Sequence, residues 1–197
     1  TVLFTATLLF FQNFDPTLLI YITVVILPVV VFSTAFMEDE TEGTIFDKNG
    51  KKHQAITYLG AKITSSLIAL LLPILLYSLA LVLFRHLNIS YWQLVLACLY
   101  TSAIHVLIGL SLAMINHDYK KLPLSYLAYI VFFCIAPILL SAGIIPAGAQ
   151  YYLLFSPAYL SVILIDNILA GFLYSPIWLI VLSIVLLAAW GAILSIF

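Results

Sequence analysis

Residues 91–115 read YWQLVLACLYTSAIHVLIGLSLAMI, and this stretch decides the fold. It contains no Asp, Glu, Lys or Arg, and it exceeds the roughly 20 apolar residues that a helix needs to cross a bilayer. The whole chain has the same character, because 65% of its 197 residues are hydrophobic, 8% are charged and the mean hydropathy is +1.22. Soluble domains are about 25% charged. The composition therefore indicates an integral membrane protein and excludes a soluble, disordered, coiled-coil or disulfide-stapled chain.

Other apolar runs of helical length lie on both sides of this stretch, at residues 17–37, 55–84, 122–142 and 175–197. They are too long and too uniformly apolar for the alternating strands of an outer-membrane barrel. Residues 2–11 form a shorter run, which we expect to be the outer end of a first helix, truncated at its N-terminus in this sequence. The runs predict an all-α membrane protein with six transmembrane helices in a single domain, residues 1–197.

The region 143–174 is apolar but interrupted, because it contains Pro157, Asp166 and Asn167. A charge near the bilayer centre costs at least about 2.5 kcal/mol. We therefore expect a re-entrant outer hairpin of two short helices before the last span, broken at Ser156. A genuine additional span is the alternative.

The basic residues predict the orientation of the spans, because cytoplasmic loops are enriched in Lys and Arg. Six of the seven fall on one side if the spans alternate, and Arg85 alone falls on the other. The six are Lys48, Lys51, Lys52, Lys62, Lys120 and Lys121. We expect a multi-pass protein of a bacterial cell membrane, with residues 38–53 in the cytoplasm.

His105 is the most notable of the few polar groups inside the apolar runs. It shares one helical face with small or polar residues at spacings of three and four. They are Cys98, Ser102, Gly109, Ala113 and Asn116. The face is either a helix-packing surface, since small residues allow close approach, or part of a substrate path or proton relay, since intramembrane ionisable groups are often functional.

The sequence contains no P-loop, no dinucleotide-binding fingerprint and no metal-ligand cluster. Any ATP that drives this protein must therefore be hydrolysed by another chain. Cys98 and Cys134 both lie in apolar runs, where we expect small packing residues rather than redox or metal sites. The predicted sites accordingly include no catalytic residue and no metal ligand.

Lys62 opens the run that ends near Phe84. At 1.5 Å per residue these two residues are roughly 33 Å apart along a helix, which is close to the apolar thickness of a bilayer. Lys62 is therefore expected at the inner membrane boundary. It either anchors the helix there by extending its ammonium to the surface or forms a salt bridge with an acidic residue of the stretch 38–47.

The charged stretch 38–53 reads EDETEGTIFDKNGKKH. It is longer than a connection between two spans requires, and Ile45 and Phe46 interrupt its polar character. One interpretation is a short amphipathic helix that docks on the membrane surface or on a partner. A solvated charged loop is the other.

This stretch resembles the cytoplasmic loop of the type-2 ATP-binding-cassette transporter permeases. In that family acidic residues precede a Gly-Thr pair and a short amphipathic coupling helix, and a lysine opens the next span. Here Gly43-Thr44 follows residues 38–42, and Lys62 comes nineteen residues after Gly43. The interrupted region 143–174 is also similar to the family's region between its fifth and sixth spans.

One departure from the family lies in residues 47–52, which read DKNGKK. The family has apolar residues and a proline there. We therefore expect a coupling helix that is shorter, or that is broken at Asn49-Gly50.

The resemblance implies one transmembrane subunit of an ATP-driven exporter of amphipathic or apolar substrates such as peptides, drugs or lipids. Its partners would be soluble ATPase subunits, which carry the ATP and Mg²⁺, a second permease of the same or a homologous kind, and membrane lipid, with no nucleic acid. The ATPase-coupling residues would be Glu38, Asp39, Glu40, Glu42, Gly43, Thr44, Ile45, Phe46 and Lys62. The aromatic and polar residues that would line a substrate path are Tyr21, Phe32, Phe36, Ser102, His105, Tyr126, Tyr129 and Phe133.

Two other functions stay open from the sequence. One is the substrate-binding membrane subunit of an energy-coupling-factor vitamin importer, although such subunits usually lack a long inner loop after the second span. The other is an intramembrane enzyme that uses His105.

Overall fold

The structure, a computed structural model, describes residues 16–41, 52–85, 90–116, 119–141, 143–146, 148, 150–170 and 177–194. Helices account for 91% of these residues and no strand occurs among them, which confirms the all-α prediction. Within these ranges, three helical segments are long and apolar enough to cross a membrane, namely Ile22–Asp39, Tyr91–Asn116 and Leu122–Leu140. The protein is a helical membrane protein on this basis.

Seven helices are numbered here in chain order within the described residues. Helix α1 covers residues 16–41 and comprises Pro16–Tyr21, a π-helical turn Ile22–Ile26 and Leu27–Thr41; α2 is Lys52–Arg85 and α3 is Tyr91–Asn116. Helix α4 covers residues 122–141 and comprises Leu122–Tyr129, a second π-helical turn Ile130–Cys134 and Ile135–Ser141. The last three are α5 (Gln150–Leu153), α6 (Pro157–Leu169) and α7 (Ile177–Leu194).

Proline explains both π-helical turns. A proline inside a helix has no N–H to donate and its ring clashes with the carbonyl four residues earlier, and such a clash is relieved by locally widening the helix. Pro28 places the affected carbonyl on Val24, inside the first π-helical turn. Pro137 places it on Phe133, inside the second.

Contacts between α1, α2 and α3 define the directions of these helices. Lys62 of α2 bonds to Asp39 near the end of α1, and the opposite part of α2 meets the start of α1 at a narrow crevice. That crevice is lined by Ile20, Thr23, Val24, Ile74, Ser78 and Cys98. Helix α2 is therefore antiparallel to α1. Because Cys98 lies beside the start of α1 and Gly109 lies against Val29, α3 runs parallel to α1.

The same alternation continues through α4 and α7. Ser125 Oγ donates to Asn116 Oδ1 at 2.8 Å, so α4 starts beside the end of α3 and returns antiparallel to it. Helix α7 runs parallel to α3, because Tyr100 bonds to the Ile184 carbonyl and Ile104 faces Gly191 further along both helices. The bundle therefore has two ends, which we call the Lys62 end and the Tyr91 end after residues that mark them.

Gly109 allows α3 to pack closely against the backbone of α1. A Cβ atom at this position would lie 2.8 Å from the carbonyl oxygen of Val29. Relieving this clash would require the backbone of α1 to move, which is costly. Most of the face of α3 predicted from the spacing of small residues is buried, namely Cys98, Ser102, His105, Gly109 and Ala113, whereas Asn116 at its end is half-buried. Helix packing is thus one role of this face.

The interrupted region contains the helix break predicted at Ser156. Ser156 is the N-cap of α6, and its Oγ accepts from the Tyr159 backbone N–H at 3.3 Å. The same hydroxyl donates to the Phe133 carbonyl at 3.1 Å, so α6 begins beside the middle of α4. It contacts the first turn of α1 and therefore runs from the centre of the bundle towards the Tyr91 end.

The charged stretch 38–53, predicted as a separate loop, is partly helical at both ends. Residues 38–41 continue helix α1, and residues 52–53 already belong to α2. Residues 42–51, which hold the coupling helix expected from the sequence, lie outside the described residues, as does the short first run 2–11.

Candidate functional site

His105 lies fully buried in the middle of α3, on the face that packs into the bundle. Its Nδ1 is 2.8 Å from the carbonyl oxygen of Thr101, one helical turn earlier. Because a carbonyl oxygen only accepts hydrogen bonds, Nδ1 must carry the proton of this bond. In the neutral ring, Nε2 is then a bare acceptor that points away from its own helix backbone.

Four buried polar atoms on α3 and α4 have no hydrogen-bond partner among the described residues. They are Thr101 Oγ1, Ser102 Oγ, His105 Nε2 and Tyr129 Oη. The rings of His105 and Tyr129 lie 6.3 Å apart with an interplanar angle of 67°, and Thr101 and Ser102 come four and three residues before His105 on α3. We call Thr101, Ser102, His105 and Tyr129 the central polar cluster.

An unpaired buried polar atom is costly, because leaving it without a partner costs about 1–3 kcal/mol of desolvation free energy. Proteins therefore pair nearly all such atoms, and exceptions often mark a site for a ligand, a water molecule or chemistry. Four exceptions on two facing helices make the central polar cluster the strongest candidate site in the described part of the chain.

Aromatic rings extend the cluster towards α5 and α7. Tyr129 stacks on Phe133 at 5.3 Å, and Phe133 makes edge contacts with Phe155 at 6.2 Å and Trp190 at 6.5 Å. The Trp190 indole N–H donates to the Phe155 carbonyl at 3.1 Å. The cluster therefore borders a continuous aromatic surface made by α4, α7 and the turn before α6.

The wall of α4 beside the cluster is shaped by its π-helical turn. Pro137 supplies no N–H to the Phe133 carbonyl, and the hydroxyl of Ser156 donates to that oxygen instead. Tyr21 of α1 donates to the next carbonyl, that of Cys134, at 3.1 Å. Two side chains from α1 and from the start of α6 thus fix the backbone of α4 one turn beyond Tyr129.

An ion pair lies at the Lys62 end. Lys62 Nζ is 2.6 Å from Asp39 Oδ2 and 3.4 Å from the carbonyl oxygen of Ala35. The two side chains are 18% and 29% exposed, which places the pair at the rim of the bundle. The salt bridge that the sequence left as one of two roles for Lys62 is therefore present, and it joins the two helices that flank residues 42–51.

The remaining predicted site residues are spread along the bundle. Phe36 is buried and Phe32 half-buried on α1, beyond Val29 on the way to the Lys62 end, and Tyr126 is half-buried on α4 near Ser125. The backbone of Glu38 and Glu40 is helical. Glu42, Gly43, Thr44, Ile45 and Phe46 lie outside the described residues. Of the predicted path residues, the structure brings together Ser102, His105, Tyr129 and Phe133, with Tyr21 bonded to the same part of α4.

Sequence reasoning missed Thr101, Ser156 as a bonding group, and Asn167. The sequence could have indicated Thr101, because a histidine in a helix can donate to the carbonyl four residues earlier and Thr101 lies four residues before His105. Ser156 could be linked to Phe133 only through the fold. Asn167 Nδ2 donates to the Ile163 carbonyl at 2.6 Å, while its Oδ1 has no partner among the described residues.

The cluster provides three hydroxyl groups and one imidazole nitrogen as its hydrogen-bonding groups. Within the described ranges, no group of three or more His, Cys, Asp or Glu side chains is placed to hold a metal ion. Comparison with protein-family models, with curated proteins and with solved structures finds no match.

Proposed function

We propose that the chain is the transmembrane subunit of an ATP-driven exporter, of the type-2 ATP-binding-cassette kind, that moves an amphipathic or apolar substrate. One observation carries the proposal: the ion pair between Asp39 and Lys62 connects the two helices on either side of residues 42–51. A partner that pushes on this segment would move α1 and α2 together. Such a connection is what a coupling loop needs in order to act on the substrate path.

The partner in this proposal is a soluble ATPase that binds ATP and Mg²⁺ and docks on the coupling loop, residues 38–53. The chain itself performs no bond chemistry and is not an enzyme. It supplies a path and two conformations that differ in affinity for the substrate, and the ATPase cycle shifts the population between them. A second permease subunit, identical or homologous, completes the path, and the assembly lies in a bacterial cell membrane.

The path in this proposal follows the inner faces of α1, α3 and α4. Its aromatic and polar side chains suit an amphipathic cargo, because they combine apolar area with a few hydrogen-bonding groups. They are Tyr21, Phe32, Phe36, Ser102, His105, Tyr126, Tyr129 and Phe133. None of them carries a permanent charge, so a strongly ionic cargo is disfavoured.

The proposed topology has six spans, with residues 143–174 re-entrant on the outer side. The start of α6 beside Phe133 and its course towards the Tyr91 end support this topology. Cysteine substitution distinguishes it from an additional span. Gly148→Cys and Ser175→Cys are expected to react with a membrane-impermeant maleimide from the same side, whereas an additional span would put them on opposite sides.

Co-purification tests the function directly. We would tag the chain, extract it from its native membrane in mild detergent and identify stoichiometric partners by mass spectrometry. The proposal expects an ATPase with nucleotide-binding motifs, and its loss when Glu42, Gly43 and Ile45 are replaced together. The matched control replaces Tyr151 and Tyr152, which are exposed on α5, and should retain the ATPase.

A chain that purifies alone under conditions that keep known transporter complexes intact would contradict the proposal. An ATPase that is retained by the triple variant would contradict the docking site but not the transporter. Where transport can be measured, the triple variant should move no substrate, whereas the separated ATPase subunit should still hydrolyse ATP.

A further inference from the structure

The central polar cluster has hydrogen-bonding capacity that the protein does not use. His105 Nε2, Tyr129 Oη, Ser102 Oγ and Thr101 Oγ1 have no partner among the described residues. Thr101, Ser102 and His105 are 0% exposed and Tyr129 is 7% exposed. Neither bulk solvent nor any described residue satisfies these atoms in this conformation, which leaves their hydrogen-bonding capacity open to a molecule that enters the bundle.

The bond between His105 and Thr101 restricts what that molecule can be. Nδ1 holds the ring proton against the Thr101 carbonyl, so Nε2 of the neutral ring accepts and does not donate. A guest that only accepts, such as an ether or a ketone, leaves Nε2 unpaired. The guest must donate to Nε2 and also pair with the hydroxyl of Tyr129, which both donates and accepts.

Charge and size restrict the guest further. The cluster consists of three hydroxyl groups and an imidazole, and it offers no counter-ion to an ammonium or a carboxylate. A charge buried at the centre of a membrane protein without such a counter-ion is strongly disfavoured. The complete burial of Thr101, Ser102 and His105 favours the smallest neutral group that both donates and accepts, which is a hydroxyl.

We propose that the central polar cluster is a binding site for one hydroxyl group, which donates to His105 Nε2 and accepts from the hydroxyl of Tyr129. Water or the hydroxyl of an amphipathic alcohol supplies this group. The alcohol as cargo rests on the proposed transport function, whereas the hydroxyl site itself does not. The stacked ring of Phe133, with Phe155 and Trp190 beyond it, is an apolar surface on which the alkyl part of such an alcohol can lie.

Nitrogen NMR of the histidine rings tests the proposal. The chain labelled with ¹⁵N-histidine is placed in lipid nanodiscs, and dodecanol is the probe, with dodecane as the matched control without a hydroxyl. The chain has four histidines, and His105→Phe assigns the resonance of interest. If that variant does not fold, replacing His53, His86 and His117 together by Asn gives the same assignment.

The alcohol source predicts a saturable shift of the His105 Nε2 resonance with dodecanol and none with dodecane. Tyr129→Phe, which removes only the accepted bond, should weaken the dodecanol affinity about three- to tenfold. The control Tyr152→Phe lies on an exposed side chain and should leave it unchanged. The water source predicts no dodecanol shift but magnetisation transfer from water to the His105 ring protons.

Either source supports the hydroxyl site. A resonance that responds to neither dodecanol nor water, or that shifts equally with dodecane, would overturn it. The NMR experiment contains no ATPase, so a negative NMR result refutes the hydroxyl site and leaves the transport proposal to the co-purification test. A negative co-purification refutes the transport proposal and leaves the hydroxyl site to the NMR test.

Discussion

Polar side chains are hydrogen-bonded across helices at the Lys62 end of the bundle but, among the described residues, are unpaired at its centre. At the Lys62 end, polar groups pair across helices, as Lys62 does with Asp39 and Ser125 with Asn116. At the centre, the polar atoms of His105, Ser102 and Tyr129 are buried and remain unpaired within the described residues. Pairs join helices and resist their separation. Unpaired buried groups instead cost desolvation free energy, and the guest proposed above would recover part of that cost.

Gly109 lies between these two regions, one turn from His105. A side chain at this position should destabilise the packing of both regions. Gly109→Ala places a Cβ 2.8 Å from the Val29 carbonyl oxygen. Overpacking of this kind costs about 1–3 kcal/mol, and the contact with backbone favours the upper part of this range. The free energy of unfolding, measured by SDS titration in mixed micelles, should fall accordingly.

Gly60→Ala is the matched control, because nothing lies within 4 Å of its added Cβ. Alanine is the better helix former by about 1 kcal/mol, so this variant should be as stable as the wild type or more stable. Equal destabilisation by the two substitutions would contradict the close packing of α1 against α3 at Gly109.

Ser156 tests the junction between α4 and α6. Ser156→Ala removes both the N-cap of α6 and the donor to the Phe133 carbonyl. Loss of an N-cap alone costs about 1 kcal/mol, and the total should exceed that of Ser161→Ala, whose hydroxyl bonds only within its own helix. Thermal unfolding in detergent compares the two variants, and indistinguishable midpoints would count against the junction.

Two tyrosines sharpen the contrast between paired and unpaired groups. Tyr21 donates to the Cys134 carbonyl, whereas Tyr129 Oη has no partner. Tyr21→Phe should therefore cost about 1 kcal/mol, and Tyr129→Phe should cost less, because it removes no bond to any described residue. Both changes remove one hydroxyl from a buried ring, so the difference between their unfolding free energies isolates the hydrogen bond. A reversed order would refute the contrast.

The ion pair at the rim should give the smallest effect. Asp39 and Lys62 are partly exposed, and pairs of this kind contribute about 1 kcal/mol or less. A double-mutant cycle with Asp39→Asn and Lys62→Met should give a coupling of that size, which decreases as salt is added. A coupling of zero at low salt would mean that the pair does not connect α1 to α2.

Spacing predicted much of the fold but few of its contacts. Apolar runs identified the helices, and intervals of three and four residues identified the buried face of α3 around His105. That Tyr129 faces His105 depends on how α4 rotates about its own axis, which one sequence does not encode locally. The helix break at Ser156 was predicted because Pro157 follows it. The hydrogen bond from Ser156 to the Phe133 carbonyl could not be predicted, because it forms only where Pro137 leaves that carbonyl without an N–H donor and α6 packs beside it.

The central claim is that this bundle spans a membrane with its Lys62 end in the cytoplasm, and sided cysteine labelling tests it most directly. The native Cys98 and Cys134 are buried, so they provide a low background. Ser90→Cys marks the Tyr91 end and Tyr119→Cys marks the Lys62 end, and both positions are exposed. In intact cells an impermeant maleimide should label position 90 alone, with position 119 labelled only after permeabilisation. Labelling of both positions in intact cells, or of position 119 alone, would contradict the account.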